Sequence, residues 1–172
     1  MNIKLYSGEK KIINLKEEKY LISMLNYYRS NMKMELFHFN KELFKSSYNH
    51  AKYINKNNII SHTENSDDNF FTGEHVSNRY IKVGGNNNYV GENFTYGLDK
   101  FNNSLDGLMT AIYHRNSLLS PNYNNIGIAQ YNNAFVYNIS NSYINKYCKN
   151  ESKDIEEIQN IANKLMIKLN KK

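Results

Sequence analysis

His62, Glu92 and His114 are the residues of this chain best equipped for chemistry. Two imidazoles and a carboxylate are what one polar cleft needs to bind a divalent ion or to exchange protons. They stand about 30 and then about 22 residues apart, so spacing alone says little. Each lies in a short string that marks a boundary: Ser61-His62-Thr63 after a predicted helix, Gly91-Glu92-Asn93 opening a predicted strand, and Tyr113-His114-Arg115 ending another helix. Ordinary roles also fit. His62 reads equally as a loop histidine, Glu92 as a strand-edge carboxylate paired with a lysine, and His114 as a cation at a helix C-terminus.

The other chemically able residues read as structural. His50 shares a helical face with Leu43 and Ile54, so it is expected to be packed and hydrogen-bonded. His38 and His75 have no supporting context. Arg29 and Arg115 are expected in ion pairs that position helices. Asp67 and Asp68 lack the spacing of a calcium loop and read as solvated. Cys148 is the sole cysteine, which rules out an intramolecular disulfide, and it reads as a passive thiol.

The elements that must position these groups follow from hydrophobic period. Residues 1–14 form a lead-in, with Asn14 as a helix cap and Glu17 reaching back to it. Tyr20, Leu21, Met24, Leu25 and Tyr28 then follow at helical spacing. A second helix starts near Asn40, buried through Leu43, Phe44, Ser47, Ala51 and Ile54, and ends at Asn55, Asn57 and Asn58. Thr63 to Glu74 reads as a loop, His75 to Val83 as a short helix, and Tyr89 to Tyr96 as a strand. One helix is expected over Ser104 to Leu118, buried through Leu105, Leu108, Met109 and Ile112, with Gly107, Ala111 and His114 along another lane. Strands at Tyr123 to Gln130 and Ala134 to Ser140 meet in a tight turn at Asn132-Asn133. A last helix from Ser152 carries Ile155, Ile158, Ala162, Leu165 and Leu169. The fold class is therefore α/β (α+β), a small central sheet flanked by helices on both faces. The chain divides into the lead-in, one domain over 15–145, and a C-terminal helical extension over 146–172.

Composition bounds the function. The chain has 172 residues, 40% hydrophobic and 13% aromatic, enough for one domain with a real core. Its net charge of +6 comes from scattered lysines, and no basic stripe alternates with exposed aromatics, so nucleic acid is a poor guess. No run of apolar residues is long enough for a transmembrane helix. The N-terminus lacks the apolar core of a signal peptide, which a processed form would have lost.

Seven strings in order resemble the CAP superfamily, also called SCP-like or cysteine-rich secretory proteins. They are Leu25-Asn26-Tyr27-Tyr28-Arg29, Ser61-His62, Phe71-Thr72-Gly73, Val90-Gly91-Glu92-Asn93, Ala111-Ile112-Tyr113-His114-Arg115, Leu118-Leu119-Ser120-Pro121 and Ile126-Gly127-Ile128. The match is closest to bacterial members without disulfides. The resemblance implies a three-layer α-β-α sandwich with a surface cleft lined by two histidines and two acids, which in some members holds zinc or another divalent ion. By position these fall on His62, His114 and Glu92. The second acid falls near Ala111, a departure that leaves the set incomplete, with Glu74 or Asp106 as substitutes outside the pattern. The expectation is thus an extracellular or periplasmic binding module. Its His62, Glu92 and His114 cleft would hold zinc or another divalent cation weakly, or a small ligand or cell-envelope component. The alternative is a metal-assisted, peptidase-like hydrolase at the same cleft, which would need an activated water and oxyanion donors.

Overall fold

The computed structural model describes residues 15–86 and 89–141. Asn14, Cys148 and the helix expected from Ser152 lie outside them. The elements are α1 (Leu15–Asn31), β1 (His38–Phe39), α2 (Lys41–Asn57), α3 (Val76–Lys82), β2 (Val90–Tyr96), α4 (Phe101–Thr110), α5 (Ile112–Leu118), β3 (Asn125–Tyr131) and β4 (Ala134–Ser140).

The four strands form one sheet in the order β1-β3-β4-β2. The β3–β4 hairpin turns at Asn132-Asn133, with Tyr131 opposite Ala134 and Asn132 at φ 53°. Asn tolerates that left-handed backbone better than most residues. β2 runs antiparallel to β4 from Val90↔Ser140 to Tyr96↔Ala134 and forms one edge of the sheet. The two-residue β1 pairs in parallel with β3.

Strand alternation divides the interior into two layers. Ile126 and Ile128 of β3 and Phe135, Tyr137 and Ile139 of β4 pack with Leu21 and Leu25 of α1, Leu105 and Leu108 of α4, and Leu118 of α5. The opposite pleat, Tyr131, Ala134 and Val136, packs on Ala51, Tyr53 and Ile54 of α2. This is the expected sandwich. α2 lies very close to the sheet at Gly127, where any Cβ would overlap the backbone of Leu43 and Phe44.

α2 begins and ends as its sequence predicts. Asn40 accepts from Leu43 N–H at 2.8 Å, and Asn58 closes the helix at φ 55°. The single helix expected over Ser104 to Leu118 is corrected: it is two helices, broken at Ala111 in extended backbone (φ −79°, ψ 120°). Thr110 Oγ1 donates to the Asp106 carbonyl at 2.7 Å, a back-bond that slightly loosens the end of α4. Arg115 Nη1 satisfies the Met109 carbonyl at 3.3 Å. Ile112 consequently lies 57% exposed rather than buried, and no single helical lane joins Gly107, Ala111 and His114.

Among the described residues neither Arg29 nor Arg115 makes the expected salt bridge with an acid, although the Glu35 charge acts on Arg29. Arg115 bonds a carbonyl, as just described. Arg29 is fully buried and donates to the carbonyls of Glu35, Leu118, Ser120 and Tyr123 at 2.6–3.0 Å, with its guanidinium 4.0 Å from the Phe37 ring centre. It fastens the α5–β3 connection to the end of α1.

Candidate functional site

The pleat of β2 sends consecutive side chains to opposite faces of the sheet, Glu92 toward α2 and α3 and Asn93 toward α5. Because β2 is an edge, groups on its two faces can meet around it.

On the first face, Glu92 is buried at 2% side-chain exposure and Arg79 of α3 at 0%. Arg79 Nη2 lies 2.9 and 2.8 Å from the two carboxylate oxygens and also donates to the His62 carbonyl at 3.1 Å. His62 Nδ1 lies 3.1 Å from Glu92 Oε1, and its ring packs edge-on against Phe94 at 4.7 Å. One guanidinium nitrogen therefore fixes both the His62 backbone and the carboxylate that orients the His62 ring. Ser61 Oγ accepts from Thr63 N–H at 3.0 Å and completes the local turn.

Behind this pair lies a second buried acid, Glu64, within an otherwise exposed loop. Its carboxylate accepts from the N–H groups of Thr72 and Gly73 and lies 2.9 Å from His50 Nδ1 and 3.7 Å from Arg79 Nε. His50 Nε2 lies 3.0 Å from the Ser61 carbonyl and 3.4 Å from Glu92 Oε1. His50 is thus packed and hydrogen-bonded as expected, but its partners belong to the cluster around Glu92. Burial alone would raise the Glu92 carboxyl. The His62 hydrogen bond, the His50 charge and Arg79 outweigh it and hold the group below the ordinary carboxylate range.

On the second face, His114 Nδ1 lies 3.0 Å from Asn93 Oδ1, and Asn93 Nδ2 donates to Ser117 Oγ at 3.0 Å. With the amide so placed, Oδ1 faces the imidazole and Nδ1 is the donor. Burial, and then the charge of His62, push the His114 imidazole below its ordinary value. The two rings are near enough to interact electrostatically around the β2 edge.

Glu92, ionised, accepts from His62 Nδ1 as Asn93 Oδ1 does from His114. When neutral, each ring then has Nε2 as its lone-pair nitrogen. The His62 side chain is 55% exposed, and His114 is half-buried.

The fit to a metal can be tested on these contacts. A three-ligand set needs the Glu92 carboxylate to face the ion, but Arg79 already neutralises it. Neither proposed substitute acid joins the site. Glu74 is exposed and pairs with His75 at 3.5 Å, and Asp106 is exposed on α4. Ala111, at the family's second-acid position, lies exposed in the break between α4 and α5. Among the described residues no group of three His, Cys, Asp or Glu side chains is arranged to hold a metal. The residues do not fit a three-ligand centre.

Sequence reasoning passed over three residues of this site: His50, Glu64 and Arg79. A carboxylate two residues after His62 was the readable sign for Glu64. Asp68, expected to be solvated, instead accepts from the Tyr53 hydroxyl at 2.5 Å and pins the same loop.

The helix-covered sheet is the α-β-α sandwich that the resemblance implied. The model of the cysteine-rich secretory protein (CAP) family matches residues 22–148, and this chain belongs to that family. Among solved structures it is similar to an extracellular protein containing an SCP domain from Bacillus anthracis, with 21% identity and a TM-score of 0.69 over 80% of this chain and 46% of that one. An outer surface protein from Borrelia burgdorferi shares 18% identity and a TM-score of 0.63 over 82% of this chain and 98% of its own. A cysteine-rich secretory protein from Staphylococcus aureus shares 13% identity and a TM-score of 0.57, over 77% and 42%. These likenesses establish a shared fold. The chain spans less than half of the Bacillus and Staphylococcus proteins. No curated protein matches it. Among the described residues no helix is long and apolar enough to cross a membrane.

Proposed function

We propose that this chain is an exported, cell-surface or extracellular binding module. Its cleft takes a small polar ligand on the Nε2 atoms of His62 and His114, with Glu92 orienting the first ring. The observation behind this reading is the pair of Nδ1 contacts, to Glu92 and to Asn93, which assign both rings the same tautomer. Such prior fixing lowers the ordering cost of binding. The similar Bacillus and Borrelia proteins are an extracellular and an outer surface protein, and this supports export.

A divalent ion enters this reading only as a weak ligand of two imidazole nitrogens, because Arg79 engages the carboxylate that would be the third ligand. The same engagement works against the hydrolase alternative. A carboxylate salt-bridged to a buried guanidinium is a poor base for activating water.

The test is an NMR titration of the full chain, following histidine resonances, with zinc chloride in one series and a panel of small hydroxyl and ammonium compounds in another. The reading expects at least one compound to move the His62 and His114 signals together, and expects His62→Ala and His114→Ala each to abolish its binding. Zinc that binds tightly and loses its affinity in Glu92→Gln would restore the three-ligand centre. Silence of both histidines toward zinc and the whole panel would remove the cleft reading.

A further inference from the structure

The solvent face of α2 carries an organised charge pattern that the cleft does not use. At 100° per residue, Lys41, Lys45, Lys52 and Lys56 fall within a sector of about 60°. Leu43, Ser47, His50 and Ile54 occupy the opposite, buried sector. The lysines span about 22 Å along the axis, and each close pair is separated by about 6 Å. Glu42, the acid in the first turn, falls outside the lane and lies against Gly84.

Nothing within the described protein neutralises this lane. Among the described residues every ion pair joins a histidine or arginine to a glutamate, and none uses a lysine. Like charges at i, i+4 oppose helix formation, and this helix carries two such pairs. Two of the ammonium groups are instead placed over rings, Lys52 at 4.5 Å from Phe70 and Lys56 at 5.8 Å from Tyr131. These contacts fix positions while leaving the charge in place. No aromatics alternate with these lysines along α2 itself; the two rings belong to the loop before α3 and to β3.

We propose that this face of α2 is a docking rail for a linear polyanion bearing phosphate groups, gripped by Lys41, Lys45, Lys52 and Lys56. The charge complementarity is one-dimensional: a row one side chain wide matches a charged chain. A flat anionic bilayer would call for a broader patch of charge, and here the four lysines form a single row along one helix. The rail is independent of the histidine cleft.

The experiment measures binding of the full chain to long-chain inorganic polyphosphate across a salt series, with vesicles containing phosphatidylglycerol as a second arm. Four released counterions give a slope of log K against log salt near −3. Lys41→Gln/Lys45→Gln/Lys52→Gln should flatten the slope to near −1 and weaken binding by more than about tenfold at low salt. Lys19→Gln/Lys33→Gln/Lys100→Gln, with the same net charge, should change it by less than about threefold if position rather than total charge matters. Equal losses in the two triples, absence of polyphosphate binding, or binding confined to the vesicles would each overturn the proposal. His62→Ala should bind polyphosphate as the wild type does, which separates failure of the rail from failure of the cleft.

Discussion

Replacing Glu18 by glutamine should stabilise this protein at alkaline pH and leave it nearly unchanged in acid. β3 pairs with β1 at Asn125 and Ile126, and among the described residues no strand pairs with its edge beyond them. Glu18 of α1, 2% exposed, reaches that edge and accepts the Ile128 N–H at 3.2 Å. Burial raises its carboxyl from 4.5 to about 7, and the single backbone hydrogen bond only partly offsets the rise. The folded state therefore binds this proton more tightly than the unfolded chain does. Stability is at its full value below about 4.5 and falls as pH rises toward about 7. At 1.36 kcal/mol per unit the shift corresponds to about 3 kcal/mol at most, and water reaching the site lowers that to roughly 1–3 kcal/mol. Glutamine keeps an acceptor for Ile128 and cannot ionise. Urea unfolding, followed by far-ultraviolet circular dichroism, should give equal midpoints for wild type and Glu18→Gln at pH 4. At pH 8 the variant should be ahead by roughly 1–3 kcal/mol, about 5 °C in Tm for a chain of this size. Other groups titrate in this window, but they are common to both proteins and cancel in the comparison. A stability difference that stays constant from pH 4 to pH 8 would refute the reasoning.

Three further outcomes follow from the geometry. Arg79→Met should lose about 3–5 kcal/mol in urea unfolding, because Glu64 and Glu92 would remain buried without their cation. Gly127→Ala should be at least as damaging, since its Cβ would overlap the α2 backbone rather than a movable side chain. A marked loss of soluble, folded protein by size-exclusion chromatography is expected. The His114 imidazole should titrate below the ordinary histidine value and move up toward it in His62→Ala, as read from histidine NMR shifts against pH. An unmoved His114 would mean that the two rings do not face one another.

Elements with a strong period were legible in the sequence. α2 was readable at both ends because Asn40 and Asn58 carry their signals locally, in a side-chain cap and a left-handed residue. The β3–β4 turn was readable for the same reason. The break at Ala111 was not, because alanine is the strongest helix former and nothing in its own chemistry marks a stop. What accompanies it lies outside that residue: a threonine hydroxyl bonded back to the Asp106 carbonyl, and Leu118 seated in the core beyond the break. The arginines were misjudged for a related reason. Ion pairing is the default expectation for a buried arginine, whereas Arg29 spends its donors on four carbonyls of irregular backbone, a demand visible only after the chain has folded.

The residues missed at the cleft share one property: each acts on another residue rather than on solvent. His62 and His114 stood out because their surrounding strings were unusual, but neither string says what holds the rings. His50 faces the Ser61 carbonyl with one nitrogen and the Glu64 carboxylate with the other, and both partners can only accept. It is held between them, with one ring nitrogen on each. Arg79 is the permanent cation beside both buried carboxylates, 2.8 Å from Glu92 and 3.7 Å from Glu64, and it offsets the cost of burying their charge. Glu92 is committed to that pairing, and this is why the cleft presents imidazole nitrogens outward rather than a free carboxylate. A cation arriving at the surface would have to displace Arg79 from a bond made in a buried site. A neutral ligand donating hydrogen bonds to the two Nε2 atoms would displace nothing.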